Sequence, residues 1–159
     1  MAEQLLISEL INRHAQSGVV RWVGVRPARK AEMISVEQGA IGDAGLEGDH
    51  RAKPGKRAVT LIQWEHFAVM ASLLGVKAVA PETLRRNIVV SGINLLGLRN
   101  RRFRIGSVVL DGSGLCAPCS RMETALGSGG YSAVRGHGGI TASVVEGGMV
   151  CVGDHVVPQ

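Results

Sequence analysis

The residues best suited to chemistry lie in one stretch, Leu115-Cys116-Ala117-Pro118-Cys119-Ser120-Arg121-Met122-Glu123. The reactive form of cysteine is the thiolate, which backbone amides at a helix start and nearby cations stabilise. Pro118 is suited to open a helix, because the first turn misses no donor there. Cys119 is then expected in the first turn, with Arg121 close enough to add positive charge, so it is the candidate reactive thiolate. The competing reading is a small buried hydrophobe in a turn.

Cys116 makes the spacing Cys-x-x-Cys and opens two rival readings. Half of a zinc site would need further ligands to complete four. Only Cys151 remains, in an expected strand whose apolar neighbours place it in the core, and no histidine pair stands at finger spacing. A thioredoxin-like redox pair has the right form in Cys-Ala-Pro-Cys. Against it, the preceding strand runs into Gly112-Ser113-Gly114 and no βαβ unit can be read.

Other polar groups are candidates in support. Asp49 and His50 sit in a glycine-rich loop, where a carboxylate or imidazole can move a proton or border a ligand. Arg85, Arg86 and Asn87 offer guanidinium and amide donors suited to a phosphate or other oxyanion; a solvated helix end would explain them too. His137 lies between glycines, open to a ligand or simply part of a loop.

These side chains need a scaffold, and the pattern supplies strands. Apolar β-branched runs at residues 19–25, 34–36, 57–63 and 88–91 read as strands. Residues 103–110 form two short strands or one bulged strand around Gly106. Residues 140–145 and 149–157, joined by Glu146-Gly147-Gly148, read as a hairpin. Trp64, Phe67, Ala68, Ala71 and Leu74 are spaced for an amphipathic helix stopped by Gly75. Pro81 begins a single turn entering the strand at Ile88, and residues 118–126 form the helix beside the cysteines. Residues 39–56 read as a long loop. Residues 1–18 form a leader or short helix carrying Leu5, Leu6, Leu10 and Ile11, and residues 19–159 form the single domain. The expected fold is mainly β with a few helices, a twisted barrel or strongly curved sheet.

Composition agrees and narrows the function classes. Of 159 residues, 22 are glycine, which implies many tight turns between short strands. Three cysteines are an odd count for a disulfide framework, and no apolar run is long enough to span a bilayer, so a cytoplasmic protein without membrane partners is expected. The formal charge of +5 suits anionic partners or a solubilising surface. With two Phe, one Tyr and two Trp for base stacking and no nucleic-acid motif, nucleic acid is a minor candidate.

Taken in order, six segments resemble the MOSC family, named for the C-terminal domain of molybdenum-cofactor sulfurases. They are Gly45-Leu46-Glu47-Gly48-Asp49-His50, Val59-Thr60-Leu61-Ile62, Glu82-Thr83-Leu84-Arg85-Arg86-Asn87-Ile88, Phe103-Arg104-Ile105-Gly106, Pro118-Cys119-Ser120-Arg121-Met122, and Gly138-Gly139-Ile140 continuing to Val152-Gly153-Asp154. Their order and spacing resemble those of stand-alone bacterial-type members over residues 19–157. The resemblance implies a MOSC-type β-barrel and maps the family cysteine onto Cys119, as molybdenum ligand or persulfide carrier, with Cys116 as an extra. It implies that Arg85 and Asn87 hold the phosphate of a molybdenum cofactor (molybdopterin), with Arg121, Asp49 and His50 around the same pocket. No segment resembles the N-terminal barrel of the cofactor-binding members or a desulfurase domain. Pyridoxal phosphate is therefore expected only in a partner, a cysteine desulfurase, with a molybdenum-cofactor protein as the other expected partner. The alternatives are a cofactor-dependent reductase of N-hydroxylated compounds, and a non-catalytic basic adaptor that docks an acidic partner through Arg101 and Arg102.

Overall fold

Strand residues alternate between two apolar environments, and that alternation builds the molecule. Val59 and Leu61 of one strand, and Ile88 and Val90 of its neighbour, point into the main core; Ile62 and Val89 between them pack against helices on the other face. Strands buried on both faces read as continuous apolar runs, which is how both segments look in the sequence.

The structure is a computed structural model describing residues 4–50 and 53–159. Its strands are β1 (Gly18–Val25), β2 (Ile34–Val36), β3 (Gln38–Gly42), β4 (Gly45–Leu46), β5 (Val59–Gln63), β6 (Ile88–Ser91), β7 (Arg102–Ile105), β8 (Val108–Leu115), β9 (Ile140–Glu146), β10 (Gly148–Cys151) and β11 (His155–Pro158). The helices are α1 (Ile7–Leu10), α2 (His66–Leu74), α3 (Pro81–Leu84), α4 (Ser120–Leu126) and α5 (Gly130–Val134), with a 3-10 turn at Leu95–Leu98.

Seven strands close into a barrel in the order β1, β11, β7, β8, β9, β5, β6 and back to β1. Strand β1 gives one edge to β6 and the other first to β11, through Gly18 and Val19, and then to β2, through residues 23–25. The fold is mainly β with few helices, as the strand pattern implied. The helices α2, α4 and α5 cover the outer face of β5 and β6 through Phe67, Met70, Met122 and Val134. Gly75 ends α2 in the left-handed conformation, φ 68°.

Three features differ from the sequence reading. Residues 140–157 do not form a hairpin: both edges of β9 are occupied, by β5 and β8, so β10 pairs instead with β3 and only β11 rejoins the barrel. Part of the expected loop at 39–56 is consequently β structure, with Ile41 facing Leu46 and both buried. A βαβ unit does exist, since β5 and β6 run parallel through a crossover that carries α2 and α3. The long spacing between those strands hid it.

One smaller correction follows from register. Cys151 is half-buried rather than core, because Val150 takes the inward position on β10. The one-turn α1 buries no residue and leaves Leu6, Ile7, Leu10 and Ile11 exposed. No helix among the described residues is long and apolar enough to cross a membrane. Residues 1–3 of the expected leader, and Arg51 with Ala52 of the expected loop at 39–56, lie outside the described residues.

Candidate functional site

A cavity of about 360 Å³ opens where the end of β1, the loop after β4, the start of β5, the α3–β6 junction and the segment from β8 to α4 meet. Cys119, Arg121, Asp49, His50, Arg85 and Asn87 all line it. Six arginines stand in its wall, Arg26, Arg29, Arg57, Arg85, Arg86 and Arg121, against a single carboxylate, Asp49. Such a surplus of fixed cations in a concavity suits an anionic ligand.

Cys119 is the N-cap residue of α4 rather than part of its first turn. Its backbone is extended (φ −122°, ψ 173°), its carbonyl accepts from the Met122 N–H at 2.9 Å, and its thiol makes no capping bond. Pro118 therefore sits one residue before the cap. The thiol is exposed, whereas Cys116 is buried and its N–H donates to the Gly139 carbonyl at 2.8 Å. Residues 116–119 contain neither turn nor bend, and the two cysteines are free thiols, one buried and one exposed, rather than a facing pair. This geometry disfavours the redox-pair reading. Among the described residues no cluster of histidine, cysteine and carboxylate side chains could hold a metal ion by itself, which disfavours a zinc site.

The neighbouring residues Arg85, Arg86 and Asn87 do three different things. Arg85 takes the left-handed conformation, φ 61°, at the end of α3, and its Nη2 is buried without a hydrogen-bond partner. Such an orphaned donor is costly unless something meets it. Arg86 is buried and donates to four carbonyls, of Gly138 at 2.9 Å, Leu84 at 3.1 Å, Ala117 at 3.3 Å and Cys116 at 3.5 Å. It is a brace for the cysteine segment. Asn87 donates one amide hydrogen to Asp49 Oδ2 at 2.6 Å and the other to the Gly24 carbonyl at 3.3 Å, while its Oδ1 accepts from the N–H and hydroxyl of Thr60. Both amide hydrogens are engaged within the protein, so Asn87 shapes the wall and aims Asp49.

The glycine loop before β9 explains itself through the same brace. A Cβ on Gly138 would stand 2.2 Å from the Cys116 carbonyl oxygen, so only glycine lets that loop close over the cysteine segment. His137, in this loop, lies outside the arginine cavity; its ring meets His66 edge-on at 4.9 Å, and its Nδ1 is buried without a partner.

The MOSC domain family model matches residues 29–157, most of the chain and all of this site except Arg26. The chain belongs to the MOSC domain family. Solved structures share the MOSC barrel. The YuaD protein from Bacillus subtilis is 20% identical, with a TM-score of 0.79 over 89% of this chain and 94% of that one. YiiM from Geobacillus stearothermophilus is 16% identical, TM-score 0.72, over 89% and 75%. YiiM from Escherichia coli is 22% identical, TM-score 0.66, over 87% and 69%. At these identities the likeness is one of fold. No curated protein sequence matches the chain.

Arg26, Arg29 and Arg57 are cavity residues of this MOSC domain that the sequence did not single out. Their signal was position: Arg26 follows β1 directly, and Arg57 stands just before β5. Both strands pair with β6, β1 antiparallel and β5 parallel to it, which brings these two ends to the same side of the sheet; that pairing is not written in the sequence.

Proposed function

We propose that this MOSC domain handles sulfur or the molybdenum cofactor through Cys119, which serves as a persulfide carrier or as a thiolate ligand of molybdenum. The observation that carries the reading is an exposed, uncapped thiol at a cavity walled by six arginines, one of which buries an unmatched donor. The residues fit a phosphate-bearing cofactor, because the Arg85 guanidinium has a donor for an oxyanion that the protein leaves unmet. When bound, the cofactor would supply a redox-active metal with affinity for sulfur ligands.

Each residue then has a task. Arg85 and the neighbouring cations neutralise the anionic group, and Asn87 holds Asp49 at the rim with His50. Arg86 fixes the backbone of residues 116 and 117, so that Cys119 presents its thiol from a rigid lead-in. As a sulfur carrier, the Cys119 thiolate attacks the terminal sulfur of a donor persulfide; a new S–S bond forms at Cys119 and the donor leaves as its thiolate. Such a donor is generated on a pyridoxal-phosphate-dependent cysteine desulfurase, the expected partner. Reduction of N-hydroxylated compounds is the variant in which the metal-bound form is an enzyme.

An adaptor role would rest on free surface charge, and Arg101 and Arg102 offer little. Arg102 is held by both oxygens of Asp111, at 2.9 and 3.1 Å, and Arg101 Nε donates to Asn12 Oδ1 at 2.6 Å. The test is analysis of molybdenum and sulfane sulfur on protein purified without oxygen. Cys119→Ser should abolish loading and Cys116→Ser should keep most of it. Normal loading of Cys119→Ser, with loss on charge reversal at Arg101 and Arg102, would favour the adaptor.

A further inference from the structure

A second cavity of about 350 Å³ lies behind the cysteine segment, and Cys116 and Ala117 line both cavities. Its chemistry is opposite to that of the first. Leu95, Leu96, Leu115, Pro118 and Ile140 form apolar walls, and no carboxylate lines it. Leu96, Leu115 and Tyr131 are 51%, 56% and 44% exposed, so three large side chains leave apolar surface in water around one opening. A concavity of this size, mostly apolar with a few polar groups, has the build of a small-molecule site.

The polar groups narrow the ligand. Both ends of the Gln63 amide are engaged internally, with Glu65 and with the Leu95 N–H, and Asn94 Oδ1 accepts from Leu96. Burial, with the His137 ring beside it, holds His66 below its ordinary pKa, so His66 is neutral at pH 7. The remaining charge is Arg135, whose guanidinium makes no hydrogen bond or ion pair with any described residue. One unengaged cation at the edge of an apolar concavity complements one anionic group on an apolar body.

We propose that the cavity formed by Leu95, Leu96, Leu115, Tyr131 and Arg135 binds a small organic monoanion, an aromatic carboxylate whose flat body packs on the leucines while its carboxylate meets Arg135. The site is distinct from the arginine cavity and does not depend on what Cys119 carries. The probes are naphthalene-2-carboxylate and its neutral amide, titrated into the full chain by calorimetry and amide NMR. The acid binds saturably at one site, and the amide binds about fivefold more weakly. Leu96→Glu, a change at an exposed position, weakens the acid about tenfold. Arg135→Ala makes acid and amide equal, and Arg85→Ala changes neither. Acid binding that is lost in Arg85→Ala and kept in Leu96→Glu would place the ligand in the arginine cavity and overturn the proposal. Equal affinity of the wild type for acid and amide, or no saturable binding at millimolar ligand, would overturn it as well.

Discussion

Asn87 Nδ2 donates to Asp49 Oδ2 across 2.6 Å, and through this contact the α3–β6 junction holds the loop after β4 at the mouth of the arginine cavity. The donor is buried and the acceptor half-buried, so the bond cannot be exchanged for water at no cost. Asn87→Asp replaces the donor with a second carboxylate facing Asp49, and should destabilise the fold by about 2 kcal/mol in urea titrations. Adding Asp49→Asn restores a donor and an acceptor with their ends exchanged, so the double variant should recover much of the loss. No recovery would mean that the contact carries little of the coupling.

Arg86 makes a comparable prediction for the cysteine segment. Its guanidinium is buried and donates to four carbonyls, so it bridges the cysteine segment to α3 and the loop before β9, alongside the Cys116 N–H on the Gly139 carbonyl. Arg86→Met should cost about 2 to 3 kcal/mol, since it strips charge-assisted bonds from buried acceptors. It should also expose Cys116 to a thiol reagent such as dithionitrobenzoate, while the wild type reacts first at Cys119. Stability loss with Cys116 still protected would show that Arg86 supports the fold without bracing that segment.

How much of this was legible in the sequence depends on range. The apolar runs at 19–25 and 57–63 announced β1 and β5, and Gly75 announced the end of α2, because each signal lies within one element. The partner of β10 was not legible: a turn of Glu146-Gly147-Gly148 satisfies hairpin chemistry, and only the occupied edges of β9 send β10 to β3. At the site, the residue types of Cys119, Arg85 and Asp49 could be read one by one. The separate work of Arg85, Arg86 and Asn87 could not, because it is set by which carbonyls and cavities their side chains meet across the fold.

The extended path of residues 116–119 governs oxidation. The segment contains neither turn nor bend, Cys116 is buried and Arg86 holds its carbonyl, so a disulfide, which needs closely approached Cα atoms, would require the braced segment to fold back on itself. Mild oxidation with diamide should therefore leave no bond between Cys116 and Cys119 on peptide mapping, and glutathione should cap Cys119 alone. A 116–119 disulfide in high yield would revive the redox-pair reading and sink the single-thiol assignment.

The pairing of His66 with His137 sets a pH window of its own. The His66 pKa lies below its ordinary value of 6.5, first because burial disfavours the cation and next because His137 repels it, while Glu65 pulls the other way. Folding with a lowered histidine pKa means that the unfolded chain binds the proton more readily. Stability is therefore fully present above pH 6.5 and is lost as pH falls through the ordinary histidine range towards the lowered value. Carboxylates act in a separate window. Glu123, held below 4.5 chiefly by the Tyr131 N–H and then by the Gly129 N–H, loses its contribution only as pH falls below that value. Denaturation midpoints of the wild type should thus decline as pH falls below 6.5, and decline further below 4.5. His66→Gln cannot titrate, so it should flatten the first decline and leave the second in place. Superimposable profiles for the two proteins across the first window would show that the histidine pair does not couple to folding.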